Sequence, residues 1–321
     1  MKYRNIPKLL VIVIISLIIF TCCKNSPDLD KWSDSPKWGD KEAVIRSWSK
    51  DTKDVDIERV MIEAGDIIMG ATLYRPQNIS GDLPGIVIVH GSGNTVRRIT
   101  RYYTSRAFEM GFAVLAFDKR GVGESSGEYK LFDVKSSEAT FNELSNDVAH
   151  SVRWLAQQPG IDVNRIGLFG GSQAGWIMPL AASKETLVKF IIAGEGPVVT
   201  AGEEQRHGVV GGDGSRKWSA KNVQKADDAL DNYTGNPGFD PMPILEKLNV
   251  PTLWIFGKHD DVIPVNASIA RLENLIHNGK TNNYIHIFPF GNHNFMNTET
   301  GEWYDVKSVS ENWLKNIGIL N

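Results

Sequence analysis

The sequence predicts a doubly wound α/β fold with a mostly parallel sheet, and three observations carry that prediction. Gly85-Ile-Val-Ile-Val89 and Ala113-Val-Leu-Ala-Phe117 are continuous apolar runs, the kind found in strands covered by helices on both faces. Helix-compatible stretches alternate with such runs along the chain, as βαβ connections require. Finally, 321 residues at 41% hydrophobic and 23% charged make an ordinary globular balance with length for a large core.

The first residues stand apart from this pattern. Lys2, Arg4 and Lys8 precede the apolar run Leu9 to Phe20, which meets Thr21-Cys22-Cys23. The run is shorter than the roughly 20 residues that cross a bilayer as a helix, so it reads as an export signal over residues 1–22, with a single-pass anchor as the alternative. The segment resembles a lipobox, which implies lipidation at Cys22, with Cys23 as the alternate, and an exported protein held at a membrane of the cell envelope, periplasmic or on the outer surface. Both cysteines of the chain lie here, so the body is expected to lack disulfides, thiolate metal sites and cysteine nucleophiles.

Residues 23–55 are polar, lack sustained periodicity and read as a tether and approach to one domain over 56–321. Ile57 to Ala64 and Ile67 to Tyr74 are β-rich runs around Ala64-Gly65-Asp66, an N-terminal hairpin. Between the first two buried strands, Thr100 to Met110 suits a helix that Gly111 stops. The next helix is expected from about Phe141 to Gln157, with Val148, Val152 and Leu155 at helical spacing and Pro159-Gly160 beyond. Strands follow at Arg165 to Phe169, Phe190 to Ala193, Thr252 to Phe256 and Tyr284 to Phe288, with helices near Ala174 to Ser183, Ala267 to Asn278 and Ser308 to Asn316. The stretch from Gly194 to Asn249 breaks the alternation and is too long for a plain connection, so a small cap is expected over about 195–249.

Charge and motif content exclude several classes. A net charge of −3, with acids and bases mixed, offers no basic stripe for a phosphate backbone, so nucleic acid is not an expected partner. Gly91-Ser-Gly93 follows a strand, but Val96 stands where a dinucleotide fingerprint needs its third glycine. The phosphate-loop and His-Glu-x-x-His patterns are absent, and no metal or cofactor is implied.

In an open α/β sheet the loops at the carboxyl ends of the strands converge on one edge. Four of them carry polar groups: His90-Gly-Ser-Gly93, Gly170-Gly-Ser172, Gly257-Lys-His-Asp-Asp261 and Pro289-Phe-Gly-Asn-His293. They supply Ser, Asp and His in chain order, and Ser172 sits in a G-x-S-x-A turn whose small residues can lift a hydroxyl clear of its neighbours. Each assignment has a rival. Asp261 neighbours Asp260; His286 lies in an alternating strand and suits a half-buried structural role; His259 suits a solvated loop and His90 a loop-shaping role. Asp118 and Arg120 suit an ion pair or loop brace, Arg97 and Arg98 exposed helix-start positions, and Glu203, Glu204 and His207 a solvated face of the cap.

On these residues, together with Asp118-Lys-Arg-Gly-Val-Gly-Glu-Ser125, the chain resembles an α/β-hydrolase of the serine esterase and S33-peptidase-like branch over about Ile57 to Asn316. Gly194-Glu-Gly-Pro197 with Glu204-Gln205 is similar to the corresponding segment of bacterial esterases with a small inserted cap. The resemblance implies Ser172 as nucleophile, Asp260 as orienting acid, His293 as base, and backbone N–H groups of Gln173 and Ser92 as oxyanion donors. It implies a carboxylesterase acting on small-molecule esters without metal or cofactor, touching a membrane only through the lipid anchor and with no obligate protein partner evident. An aminopeptidase or thioesterase on the same triad is the alternative, and a non-catalytic binding lipoprotein the remote one. An aminopeptidase would call for an acidic pocket, for which Glu195, Glu203 and Glu204 are candidates. Ala174, where the family motif has glycine, requires room for one extra methyl group.

Overall fold

The computed structural model of the protein describes residues 55–77, 79–212 and 219–321. The signal segment, Cys22, Cys23 and the tether up to residue 54 lie outside the described residues. Among the described residues no helix is long and apolar enough to cross a membrane.

Eight strands form one sheet in the order β1-β2-β4-β3-β5-β6-β7-β8. The hairpin of β1 (Val55–Ala64) and β2 (Ile67–Pro76) turns at Gly65, whose φ of 68° suits glycine, and β2 runs antiparallel to β4 (Ala113–Phe117). From there β3 (Leu83–Val89), β5 (Ile161–Gly171), β6 (Val188–Gly194), β7 (Thr252–Gly257) and β8 (Asn283–Phe288) are all parallel.

Alternation along the strands divides the core in two. Val87, Val89, Leu115, Leu168 and Ile191 pack on one face with Phe141, Val148, Val152 and Leu155 of α2 (Ser137–Ala156). Trp176 and Ile177 of α3 (Ala174–Lys184) and Ile269 and Leu272 of α7 (Val265–His277) complete that layer. Ile86, Ile88, Val114, Phe169 and Ile192 face the other way, against Ala107 of α1 (Arg101–Glu109) and Trp313 and Leu314 of α8 (Val306–Asn316). Each of these strands therefore carries a run that is apolar on both faces.

Two boundaries differ from the sequence expectation for a shared reason. α2 begins at Ser137, a turn before Phe141, where Ser137 Oγ donates to Val134 O and accepts from the Phe239 N–H, both at 2.7 Å. β5 begins at Ile161, ahead of Arg165, through a polar stretch in which Arg165 pairs with Asp162. Both extensions are polar, so hydrophobic patterning does not reveal them.

The chain between β6 and β7 folds as α4 (Ala201–Gly211), α5 (Ala220–Asp228) and the one-turn α6 (Met242–Leu245). Two of its residues expected on a solvated face are placed otherwise. His207 is 1% exposed and faces Asp227 across α4 and α5. Glu203 closes a capping box with Thr200 and pairs with Arg271 at 2.6 Å, a bond that also holds its carboxyl below the usual range against burial. Arg97, too, is buried rather than exposed: it pairs with Asp118 and Glu124 and donates to Thr72. Arg120 instead grips Asp147 with two bonds at 2.7 and 2.8 Å, so Asp118 and Arg120 brace separate parts of the loop after β4.

Candidate active site

Ser172 stands between β5 and α3 with φ = 57°, one of three non-glycine residues at positive φ among the described residues, with Glu195 (49°) and Phe295 (60°). Such backbone carries strain that persists only when its surroundings impose it. Here the Ser172 N–H donates to Gly194 O at 2.9 Å, and Ser172 O accepts from the Gly175 N–H at 2.8 Å, closing the first turn. Close approach explains the glycines. A Cβ on Gly171 would overlap the Tyr103 hydroxyl, and one on Gly170 would overlap the Val89 carbonyl and stand 2.9 Å from the Ala174 methyl. The extra methyl of Ala174 therefore fits because Gly170 has none, and Ala174 is fully buried. Ser172 itself is only half-buried.

Beside it, the loop after β3 passes so near that a Cβ on Gly91 would lie 3.5 Å from Ser172 Cβ. Ser92 is exposed at this loop, and the Gln173 N–H belongs to the N-terminal turn of α3, whose amides lack helical acceptors. Lys119 is 2% exposed and aims its Nζ between the two, at 2.6 Å from Gly91 O, 2.9 Å from Gly93 O and 3.4 Å from Gln173 Oε1. Burial pulls Lys119 down to about 7, but three acceptors match the three N–H donors of an ammonium. His90 is buried edge-on to Phe117, and burial with the nearby Lys119 charge lowers it to about 3, so its imidazole is neutral.

Across the sheet edge, the loops after β7 and β8 are locked together. The His259 N–H donates to Gly291 O at 2.8 Å, and a Cβ on Gly257 would overlap the Gly291 carbonyl. This brings His293 Nδ1 to 2.8 Å from Asp260 Oδ2. Asp260 Oδ1 accepts from the Val262 N–H at 2.8 Å and the Ile263 N–H at 3.3 Å. Its side chain is wholly buried, while that of His293 is 21% exposed. Burial raises the Asp260 carboxyl, and His293 and these donors outweigh it, leaving it below its ordinary value. Phe295, two residues past His293, sits against Gly194 and so fastens the histidine loop to the strand end that binds Ser172.

The rival histidines lie elsewhere. His286 is mid-β8, opposite Ile255 and edge-on to Phe288. His259 Nδ1 is 2.6 Å from Thr298 Oγ1. Asp261 places its carbonyl against Gly211 of the cap.

Glu195, one of the candidates for an acidic substrate pocket, lies elsewhere. It is 1% exposed, behind the acid rather than in a substrate pocket, with Oε2 accepting from the Gly257 N–H at 3.2 Å and a carboxyl oxygen within 4.8 Å of Asp260 and His293. Burial, then the Asp260 charge, push its carboxyl well above the ordinary range. Its place one residue past the strand end of β6 was the available signal.

The model of the prolyl oligopeptidase family matches residues 100–318. The hydrolase LUC6 of Fusarium is 29% identical over 160 residues, 49% of this chain and 37% of that protein. The thiohydrolase aneE of Aspergillus aculeatus is 35% identical over 111 residues, 34% of this chain and 33% of its own length. The matches thus span about a third of the length of these relatives. Among solved structures, an esterase of Pyrococcus furiosus superposes with a TM-score of 0.59 at 18% identity, covering 81% of this chain and 91% of that one, which shows the α/β-hydrolase fold.

Proposed function

The chain belongs to the prolyl oligopeptidase family and has the α/β-hydrolase fold, and from that premise we propose that it is a hydrolase that cleaves carboxylic esters through an acyl-Ser172 intermediate. The observation that carries the reading is the 2.8 Å bond from His293 Nδ1 to a buried Asp260, on the same sheet edge as the strained Ser172 turn. Held in that tautomer, His293 presents Nε2 as a base. Nε2 takes the hydroxyl proton as Ser172 Oγ bonds to the ester carbonyl carbon, then gives it to the departing alcohol as the C–O bond breaks. Water, deprotonated by His293, attacks the acyl group, and the acid leaves as Ser172 recovers its proton. No step needs a cofactor.

The Gln173 and Ser92 N–H groups are the oxyanion donors of this reading, and Lys119 holds both of their loops through Gly91, Gly93 and Gln173. Lys119→Met leaves three acceptors unmet. Steady-state kinetics should show kcat lower by on the order of tenfold with KM little changed, below the roughly 10²-fold or more lost with a direct donor; an unchanged kcat overturns this role.

Two placements favour esters over peptides with a free amino terminus. Glu195 lies behind Asp260 and Glu203 is held by Arg271, so neither carboxyl is offered to a substrate ammonium. Thioester cleavage is the second reading, favoured by the 35% identity to a thiohydrolase. The experiment is reaction with a fluorophosphonate followed by peptide mass spectrometry, and a p-nitrophenyl acetate burst. An adduct on Ser172 is expected; folded protein without one would sink the enzyme reading in favour of a binding lipoprotein. Ester, thioester and aminoacyl-amide substrates compared by kcat/KM separate the reaction classes.

Export and anchoring through Cys22, with Cys23 as alternate, complete the proposal, on the charged start and short apolar run of the sequence. Cells fed radiolabelled palmitate should label the protein, and Cys22→Ser should abolish it; label retained in Cys22→Ser and lost in Cys23→Ser moves the site.

A further inference from the structure

One polar side-chain atom from each of Glu195, Asp260 and His293 falls within a 4.8 Å cluster. Glu195 and Asp260 are each 1% exposed, and their carboxyls share that cluster. The donors around them are unequal. Asp260 has two backbone N–H groups on Oδ1 and the His293 ring on Oδ2. Glu195 has the Gly257 N–H on Oε2, while Oε1 is completely buried and receives no donor among the described residues. Two buried carboxylates this close cannot both stay ionised at tolerable cost, and a proton between them removes the repulsion and supplies the missing bond. It belongs on the carboxyl with fewer donors.

We propose that Glu195 is a positioning residue of the active site: its carboxyl is protonated at neutral pH and donates from Oε1 to Asp260, so that a single negative charge stands behind His293. The inference rests on the acyl-serine reading for its catalytic consequence, though the protonation itself does not. One consequence is orientation. With Val262, Ile263, His293 and Glu195 all on Asp260, its carboxylate is fixed on every side. The second is electrostatic. A second anion behind the imidazole would stabilise imidazolium and hold the base protonated at pH values where it must accept a proton. The other titratable groups around Glu195 are Tyr102 and Tyr103 of α1; burial raises both, Tyr102 to about 12, so neither supplies a charge at neutral pH.

Glu195 also explains the strain at its own backbone. Its N–H still donates to Ile255 O at 2.8 Å, so the residue remains bonded to β7 while φ turns to 49° and the side chain lies beneath the triad. That is an unfavourable conformation for a non-glycine residue, held where the carboxyl meets Asp260.

The test compares Glu195→Gln with Glu195→Ala. Glutamine is neutral, nearly isosteric and can donate to Asp260, so kcat should stay within about threefold of wild type, and the acid limb of the kcat/KM profile, which reports the free-enzyme base, should not move. Alanine removes the donor, and kcat should fall by on the order of tenfold or more with KM little changed, the size of loss seen when partners that orient a site ligand are removed. An acid limb displaced downward by about one pH unit in Glu195→Gln would mean that wild-type Glu195 is ionised, and overturns the proposal. Glu195→Gln as inactive as Glu195→Ala overturns it too, because a carboxylate would then be required. So does loss of activity in EDTA that a divalent cation restores, which would make the cluster a metal site. Should Glu195→Ala not fold, infrared difference spectroscopy decides: a protonated-carboxyl carbonyl band at neutral pH, absent from Glu195→Gln, supports the proposal, and its absence from wild type overturns it. That band is independent of turnover, whereas the Ser172 adduct tests the hydrolase reading, so the two failures are distinguishable.

Discussion

Replacing Ser172 by alanine should lower kcat by on the order of 10⁶, the scale of loss when a triad serine is removed, and should abolish the fluorophosphonate adduct. The change deletes one oxygen from a half-buried position, and the bonds that shape the turn, from the Ser172 N–H to Gly194 O and from the Gly175 N–H to Ser172 O, are made by backbone. The melting temperature should therefore stay within a few degrees, since about 1 kcal/mol moves a domain of this size by roughly 2–4 °C. A residual rate above water should survive, because oxyanion donors and binding still act. If Ser172→Ala turns over within tenfold of wild type, another residue carries the chemistry.

The turn around Ser172 shows both how far the sequence reaches and where it stops. Strand-ending glycines and a following run of small residues are local properties, and they predict a strand-to-helix turn with an accessible hydroxyl. That Ala174 is tolerated is a matter of packing, since its methyl occupies space left by Gly170. The division of the core was equally legible, because βαβ strands must be apolar on both faces. Polar partners were harder to see. Arg97 looks like a surface residue until the loop after β4 folds over it, bringing Asp118 and Glu124 from 21 and 27 residues away. Lys119 hides in a motif that reads as a loop, because the carbonyls it serves are contributed by the distant loop after β3. Glu195 is the extreme case. Its chemistry depends on Asp260, 65 residues later, and a lone glutamate in a cap-like stretch gives no hint that it is buried against another acid.

The second large effect is expected at that other acid. Asp260→Asn should lower kcat by on the order of 10⁴ with the fold intact, because it spoils the tautomer rather than the geometry. In the native site the carboxylate accepts from the His293 Nδ1–H, so Nε2 is the nitrogen without a proton and can receive that of the serine. An asparagine has one carbonyl oxygen and one amide. With its oxygen on the Val262 and Ile263 N–H groups, its NH₂ would face the ring and favour the tautomer that carries the proton on Nε2. The imidazole would then meet Ser172 as a donor. Asp261→Asn is the control and should stay within about threefold of wild type, since the 2.8 Å bond to the ring Nδ1 comes from Asp260 Oδ2. Steady-state kinetics on both variants decide the assignment: a large loss in Asp261→Asn with Asp260→Asn spared would transfer the role of the acid to Asp261. Glu195 extends the same logic by one residue. Once Asp260 is neutral, the repulsion that keeps Glu195 protonated disappears and its ionisation becomes easier, so the carboxylic-acid band of Glu195 should be lost at a lower pH in Asp260→Asn than in wild type.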